Sequence, residues 1–280
     1  MKIGFLYSLL RKDEKMLMEE FKARNIDLQM MDDRTLVLSP ESKLDLDILY
    51  ERSLSYSRGL EVIRVLETLG IYCINSVKTA EISGNKIATT LALKKHNIPQ
   101  PNVRFAFTEE SALQAIEEMG YPCVIKPPVG SWGRLIAKIN DRDAAEAVLE
   151  HKATLGSYQH SLFYIQEYIE KAGRDIRSFV IGDQCIAAAY RSSEHWITNA
   201  ARGAAASFCK VTDEIAEFSI KSAHAVEGEI VAVDLFETEK GLLVNEVNHT
   251  MEFKASHGAN KQEINIPAKI VDYLIEKSKR

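Results

Sequence analysis

Apolar positions near the amino terminus switch between period two and the 3.6-residue period of a helix. A strand is predicted at 2–7, a helix at 12–24, extended pieces near 27–38 and 46–50, a helix at 56–69 stopped by Gly70, and a strand at 71–75. Such alternation predicts βαβ units and a small parallel sheet. Residues 79–97 read as a strongly helical stretch, closed by Asn97-Ile98-Pro99-Gln100-Pro101, where the prolines cannot continue it. A strand from 103 is then followed by a helix at 109–119, strands at 123–127 and 134–139, a helix at 142–151 and a strand at 162–168. Past residue 170 strands dominate, at 174–181, 184–191, 230–236 and 242–247, with helices at 212–227 and 266–278. No repeat or low-complexity tract interrupts the chain. The expected class is α/β, in three units: 1–78, 79–170 and 171–280.

Length and charge narrow the function. A chain of 280 residues can bury a full core, and a net charge of −5 argues against holding nucleic acid by bulk charge. Cys73, Cys123, Cys185 and Cys209 lack metal-ligand spacing and read as free thiols of a reducing compartment. Met1–Tyr7 begins a strand rather than a signal peptide, and no apolar run reaches membrane-spanning length. A cytoplasmic protein with neither nucleic-acid nor membrane partner is expected.

The chemistry concentrates in a few fragments. Asp234 lies in one apolar strand and Glu246 and Asn248 in the next, where period two puts the last two on one face. Two carboxylates and an amide oxygen suit Mg²⁺. Lys126 ends an apolar strand and runs into Val129-Gly130-Ser131-Trp132-Gly133-Arg134, whose backbone N–H groups could cradle phosphate, although the Walker order is absent. Lys86 starts a helix after Ser83-Gly84-Asn85, and Gln166-Glu167-Tyr168-Ile169 ends a strand able to present backbone to an adenine edge, with Glu167 available for ribose hydroxyls. Arg174, Arg177, Arg191 and Arg202 fall on strands or loops and suit carboxylate or phosphate recognition. Taken singly, each fragment also fits a plain hairpin, a solvated lysine or a surface ion pair. No serine or cysteine occupies a nucleophile elbow, and His151, His160, His249 and His257 lack ligand spacing.

In order, Lys86, Val124–Pro127, Gly130–Arg134, Gln166–Ile169, Asp234 and Asn245–Asn248 resemble an ATP-grasp carboxylate–amine ligase. Gly130–Leu135, Gly173–Arg177, His195–Asn199 and Asn245–Lys254 resemble its LysX branch, over essentially the whole chain. The resemblance implies a pre-ATP-grasp α/β domain followed by two ATP-grasp subdomains, with ATP between two antiparallel sheets. It implies ATP and Mg²⁺ as cofactors, the small acidic carrier protein LysW and 2-aminoadipate or glutamate as partners, and a homo-oligomer, dimer or tetramer. The carrier's terminal carboxylate would be phosphorylated and the amino acid's amine would attack the acyl phosphate. On this basis the nucleotide falls to Lys86, Lys126, Ser131, Trp132, Gly133, Arg134, Gln166, Glu167, Tyr168, Ile169 and Arg174, and the metal to Asp234, Glu246 and Asn248. Arg177 and Arg202, with Arg191 and Asn199, fall to the reacting carboxylate and phosphoryl group. His249, Thr250, Glu252, Phe253, Lys254, Ser256 and His257 would lie beside the amino acid, with His257 or Lys261 supplying a carboxylate-pairing cation. Two departures stand out: Asn85 replaces the usual Asp before the lysine, and Ala255–Gln262 does not follow the aminoadipate-specific pattern. The lean is to aminoadipate. The alternatives are glutamate or both, a RimK-type glutamate ligase, and a nucleotide-binding module without catalysis.

Overall fold

The computed structural model describes residues 1–130, 132–155, 161–199, 202–260 and 264–279. Three sheets organise it. The first is parallel, with β1 (Ile3–Tyr7) between β2 (Leu28–Asp32) and β3 (Ile48–Arg52), and β4 (Tyr72–Ile74) beyond β3. Its crossovers include α1 (Lys12–Ala23) and α2 (Tyr56–Thr68), as the βαβ pattern requires. The second sheet is antiparallel, in the order β5 (Val103–Ala106), β8 (Phe163–Glu167), β6 (Cys123–Lys126), β7 (Ala137–Ile139), and is backed by α5 (Glu109–Met119) and α6 (Arg142–Leu155). The third is antiparallel too. Its order is β11 (Ala205–Cys209), β10 (Gln184–Ser192), β9 (Arg174–Ile181), β12 (Ile230–Thr238), β13 (Gly241–Asn248).

One apolar core joins the first and third sheets: Phe5, Ile48 and Tyr50 pack with Phe179, Ala232, Met251 and Phe253, under α9 (Ile266–Lys277). The opposite face of the third sheet packs on α7 (Asp213–Ala225) through Val180, Val231, Val233 and Ile215. The third sheet is therefore buried on both faces, so a polar side chain there needs a partner.

Three elements differ from expectation. The stretch at 79–97 is two helices, α3 (Val77–Ser83) and α4 (Lys86–Lys95). The cause is local: Asn85 caps α4, its side chain accepting from Ile87 N at 2.9 Å and Ala88 N at 3.4 Å. Asn caps as well as Asp, so the departure at this position keeps the helix start. Gly84 precedes it because a Cβ there would lie 2.1 Å from Tyr56 Cε2. The other two are β11 and α8 (Lys254–Asn260), which the hydrophobic pattern missed. The strand sits at a sheet edge and exposes Phe208, so it lacks a clean alternation of buried positions. For the helix the signal comes from afar: Asp13 accepts from the backbone N of Phe253 and of Lys254, each at 2.8 Å, satisfying donors at its start.

Candidate active site

The site is built first on the third sheet. Arg177, Asp234 and Glu246 stand side by side across β9, β12 and β13. Arg177 Nε and Nη2 donate to the two oxygens of Asp234, both at 2.8 Å. Arg191, one strand over, donates to Asp175 at 2.7 and 2.8 Å and reaches Asp234 at 3.1 Å. Burial by itself would raise the Asp234 carboxyl, but Arg177 and Arg191 outweigh it and hold it at about 2. Asp175 also takes Lys171 at 3.6 Å and the Thr198 hydroxyl. Arg191 is thus a buried strut between two acids that also lines a cleft, with its Nη1 left without a hydrogen-bond partner, while Arg177 lines a second cleft.

A β-bulge aligns the next group. Asp234 pairs with Glu246 but Leu235 pairs with Val244, leaving Asn245 as an extra residue on β13. Regular alternation would turn Asn245 away from Glu246; here its Oδ1 accepts from Lys126 Nζ of the second sheet at 2.8 Å. Lys126, only 7% exposed, donates also to Gln166 Oε1 at 2.8 Å. Burial lowers its ammonium pKa to about 7; Glu246 and Asp234 oppose the shift, while Lys86 and Lys171 add to it. Lys86 Nζ donates to Gly130 O at 2.9 Å and lies 3.4 Å from Glu246. Two lysines and two acids thus meet where the second and third sheets face each other.

Beside them runs a first cleft with an apolar end formed by Val124, Ile136, Tyr168, Ile169, Trp196 and Phe236, and a charged end at Lys86, Lys126, Asp234 and Glu246. Gly133 lines it with φ +65°, a conformation that favours glycine, and its carbonyl accepts from Arg202 Nη2 at 3.0 Å. Asn199 lines this cleft and a second one of about 210 Å³. The second runs from Arg177, Glu246 and Asn248 to Glu51, Ser53 and Arg11 at the carboxyl ends of β3 and β1, with Trp132, His249, Thr250 and Glu252 also on its wall. His249 Nδ1 meets Ser83 Oγ at 2.9 Å, and burial lowers its pKa to about 4. Sequence reasoning missed Arg11, Glu51 and Ser53. The available signal was positional, because ligands of parallel sheets gather beyond the carboxyl ends of the strands.

Several expected residues lie elsewhere. Arg174 is on the α7 face of β9, away from Arg177, because side chains alternate; it pairs with Glu237 at 2.9 Å and stacks 3.9 Å over Tyr190. Glu167 lines neither cleft, and each of its carboxylate oxygens accepts from Asn102, from N at 2.7 Å and from Nδ2 at 2.9 Å. Arg134 is exposed and stacks 4.8 Å over Trp132, lining neither cleft. Phe253, Lys254, Ser256 and His257 follow the chain into α8, and among the described residues none of them lines the second cleft. Phe253 is core, 6.0 Å from the Arg52 guanidinium. Ser131 and Lys261 lie outside the described residues.

The expected metal donors fit a hard divalent cation. Asp234 and Glu246 oppose each other on one face, Asn248 follows on the same face, and the charge now balancing them comes from Arg177, Arg191 and Lys86. Asn248 Nδ2 is buried without a hydrogen-bond partner, so its amide is not committed to a protein network. Among the described residues no group of three or more His, Cys, Asp or Glu side chains is placed to hold a metal ion. No described helix is long and apolar enough to cross a membrane.

Comparison with known proteins agrees with this layout. The RimK-like ATP-grasp domain family matches residues 83–274, and the LysX preATP-grasp domain family matches residues 3–82. The chain is 35% identical over 273 residues to the alpha-aminoadipate–LysW ligase LysX of Saccharolobus solfataricus, covering 96% of this chain and 97% of that one. It is 32% identical over 280 residues to the glutamate–LysW ligase ArgX of Sulfurisphaera tokodaii, covering 99% of each. The crystal structure of a RimK domain ATP-grasp protein from Sphaerobacter thermophilus has the same fold, with a TM-score of 0.83 at 24% identity over 98% of this chain and 99% of that one. An amino-terminal LysX-type unit joined to a RimK-like ATP-grasp unit, matched nearly end to end by ligases, makes this chain a member of the LysX family of ATP-grasp carboxylate–amine ligases.

Proposed function

We propose that this ligase joins the carboxyl-terminal glutamate of the carrier protein LysW to the amine of 2-aminoadipate. The observation that carries the reading is the meeting of Lys86 and Lys126 with Asp234 and Glu246 between two antiparallel sheets, with an apolar cleft on one side and a polar cleft on the other. The apolar end takes the adenine, beside Tyr168 and Ile169, and the lysines and the backbone of the loop at 132–133 take the phosphates. Asp234, Glu246 and Asn248 would hold Mg²⁺, which neutralises charge on the transferring phosphoryl group. The carrier carboxylate attacks that group, releasing ADP and forming an acyl phosphate. The amine then attacks the acyl carbon, and phosphate leaves as the amide forms. Arg177, Arg202 and Asn199 stabilise the negative oxygens of both steps. The three units at 1–78, 79–170 and 171–280 would supply one wall of the amine cleft, the two phosphate-binding lysines and the acids in turn.

Glutamate is the second reading, supported by the match to a glutamate–LysW ligase across 99% of the chain. The test is ADP release with ATP, Mg²⁺ and purified carrier, with either amino acid, together with the carrier's mass. An adduct of aminoadipate is expected. A carrier of unchanged mass with both amines refutes the ligase assignment, and a preference for glutamate refutes the choice of amine.

A further inference from the structure

The wall that the amino-terminal unit lends to the second cleft holds a cation whose second acidic partner is a partly exposed carboxylate on the cleft itself. Arg11 donates through Nε and Nη2 to Glu14, at 3.0 and 2.9 Å. Glu14 is fully buried and is shared, because the buried Arg52 donates to it at 3.2 and 2.9 Å. One carboxylate cannot balance two guanidiniums. The remaining charge is met by Glu252, which accepts from Arg11 Nη1, is partly exposed and lines the same cleft. Beside it, Ser53 is 6% exposed, and its hydroxyl lies near the Glu51 carboxylate without a well-aligned hydrogen bond. Its backbone N is engaged with Glu51, whose second oxygen accepts from Thr250 at 3.0 Å. A buried hydroxyl left without a well-aligned partner is costly, and here it lies on a cleft wall where a ligand can pair it.

We infer that Arg11 Nη1 and the Ser53 hydroxyl receive the side-chain carboxylate of the amine-bearing amino acid, and that Glu252 holds that carboxylate's place in its absence. This inference rests on the ligase function proposed above. The amine and the α-carboxylate share one carbon and stay together at the reacting end, beside Arg177 and Glu246. The carboxylate able to reach the opposite wall is therefore the distal one. Glu14 fixes two of the Arg11 nitrogens, so the guanidinium is a stationary end-stop that measures side-chain length. Arg11 thereby fills the role that the sequence assigned to His257 or Lys261.

The test compares kcat/KM for aminoadipate, glutamate and norleucine, which keeps the amine and α-carboxylate but lacks the distal charge. Calorimetric binding of the same amino acids in the absence of turnover accompanies it. Arg11→Met is expected to lose roughly 10- to 100-fold for the dicarboxylic substrates while norleucine and the KM for ATP stay put, so the preference collapses. A general structural disturbance would lower all substrates together. Because Arg11 also braces α1, Ser53→Ala and Glu252→Gln give independent readings. The first should weaken dicarboxylate binding severalfold, and the second should tighten it by removing a competing carboxylate. A folded Arg11→Met enzyme that keeps its preference, or a Glu252→Gln enzyme that binds aminoadipate more weakly, overturns the inference. Calorimetry separates this failure from that of the ligase function, since distal-carboxylate recognition is read without any product.

Discussion

The proposed contact of Lys126 with the nucleotide phosphates predicts that nucleotide affinity depends on pH. Burial lowers its ammonium pKa to about 7, against 10.5 for an ordinary lysine, and its two hydrogen-bond partners, Gln166 and Asn245, are neutral amides. In the free enzyme the charged form therefore predominates only below neutrality. Phosphate oxygens brought against Nζ favour the charged form, so nucleotide binding above pH 7 must be accompanied by proton uptake. The magnitude follows from the titration. At one pH unit above the free-enzyme value about one molecule in ten carries the proton, and affinity falls about tenfold, or roughly 1.4 kcal/mol. A further unit costs about the same again, until the pKa of the complex is reached. The assay is calorimetric binding of a non-hydrolysable ATP analogue with Mg²⁺ from pH 6 to 9, in two buffers of different ionisation enthalpy. Lys126→Arg, always charged, corrects for the nucleotide's own titration and should show a flatter profile. Equal affinity at pH 7 and pH 9 in the wild type, with no proton uptake, would refute the reasoning.

Glu246→Gln should abolish ADP release while leaving the thermal melt within a few degrees of wild type, because the residue is half-buried at a strand end; near-normal turnover would remove it from the metal set. Glu167→Gln should alter the KM for ATP by less than about threefold, since its carboxylate is committed to Asn102; a large loss would restore the ribose role. Asp175→Asn should destabilise the fold by about 3 kcal/mol, visible in denaturant unfolding, by leaving Arg191 half-compensated among buried strands, and an unchanged midpoint would contradict the strut assignment.

The elements were largely legible because two periodicities dominate this chain. Strands buried on one or both faces and helices with one apolar stripe leave clear patterns, and Ile3–Tyr7, Arg174–Ile181 and Tyr56–Thr68 follow from them nearly to the residue. The break between α3 and α4 showed only as the Ser83-Gly84-Asn85 run before the helix of Lys86, and its cause, a side-chain cap together with the approach of Tyr56 to Gly84, lies in the structure. The site divides along the same line. Lys86, Lys126, Asp234 and Glu246 could be read as a set because each sits in a recognisable motif, the lysines at a helix start and a strand end and the acids on two consecutive strands. Arg11, Glu51 and Ser53 could not, because what joins them to that set is the packing of the first sheet on the third. Arg174 was misjudged for a simpler reason. It is three residues from Arg177, and on a strand an odd separation means opposite faces.

The most consequential illegible feature is a single residue of register. Strict alternation along Val244–Asn248 predicts that Glu246 and Asn248 share a face and that Asn245 faces the other way. The bulge at Asn245 keeps the first part and cancels the second: beyond it Glu246 stands opposite Asp234, and Asn245 itself reaches Lys126. Only with the extra residue can one strand present an acid to the third sheet's charged face and an acceptor to the second sheet's lysine. A bulge bends its strand and increases the local twist, which suits the seam where two antiparallel sheets meet. The same short run that carries Glu246 and Asn248, the proposed metal donors, therefore also holds the buried lysine, so the proposed metal and phosphate sites share one piece of backbone. With that backbone shared, a one-residue insertion or deletion within Asn245-Glu246-Val247-Asn248 is expected to move either Glu246 from Asp234 or Asn245 from Lys126, and ADP release by such a variant checks it.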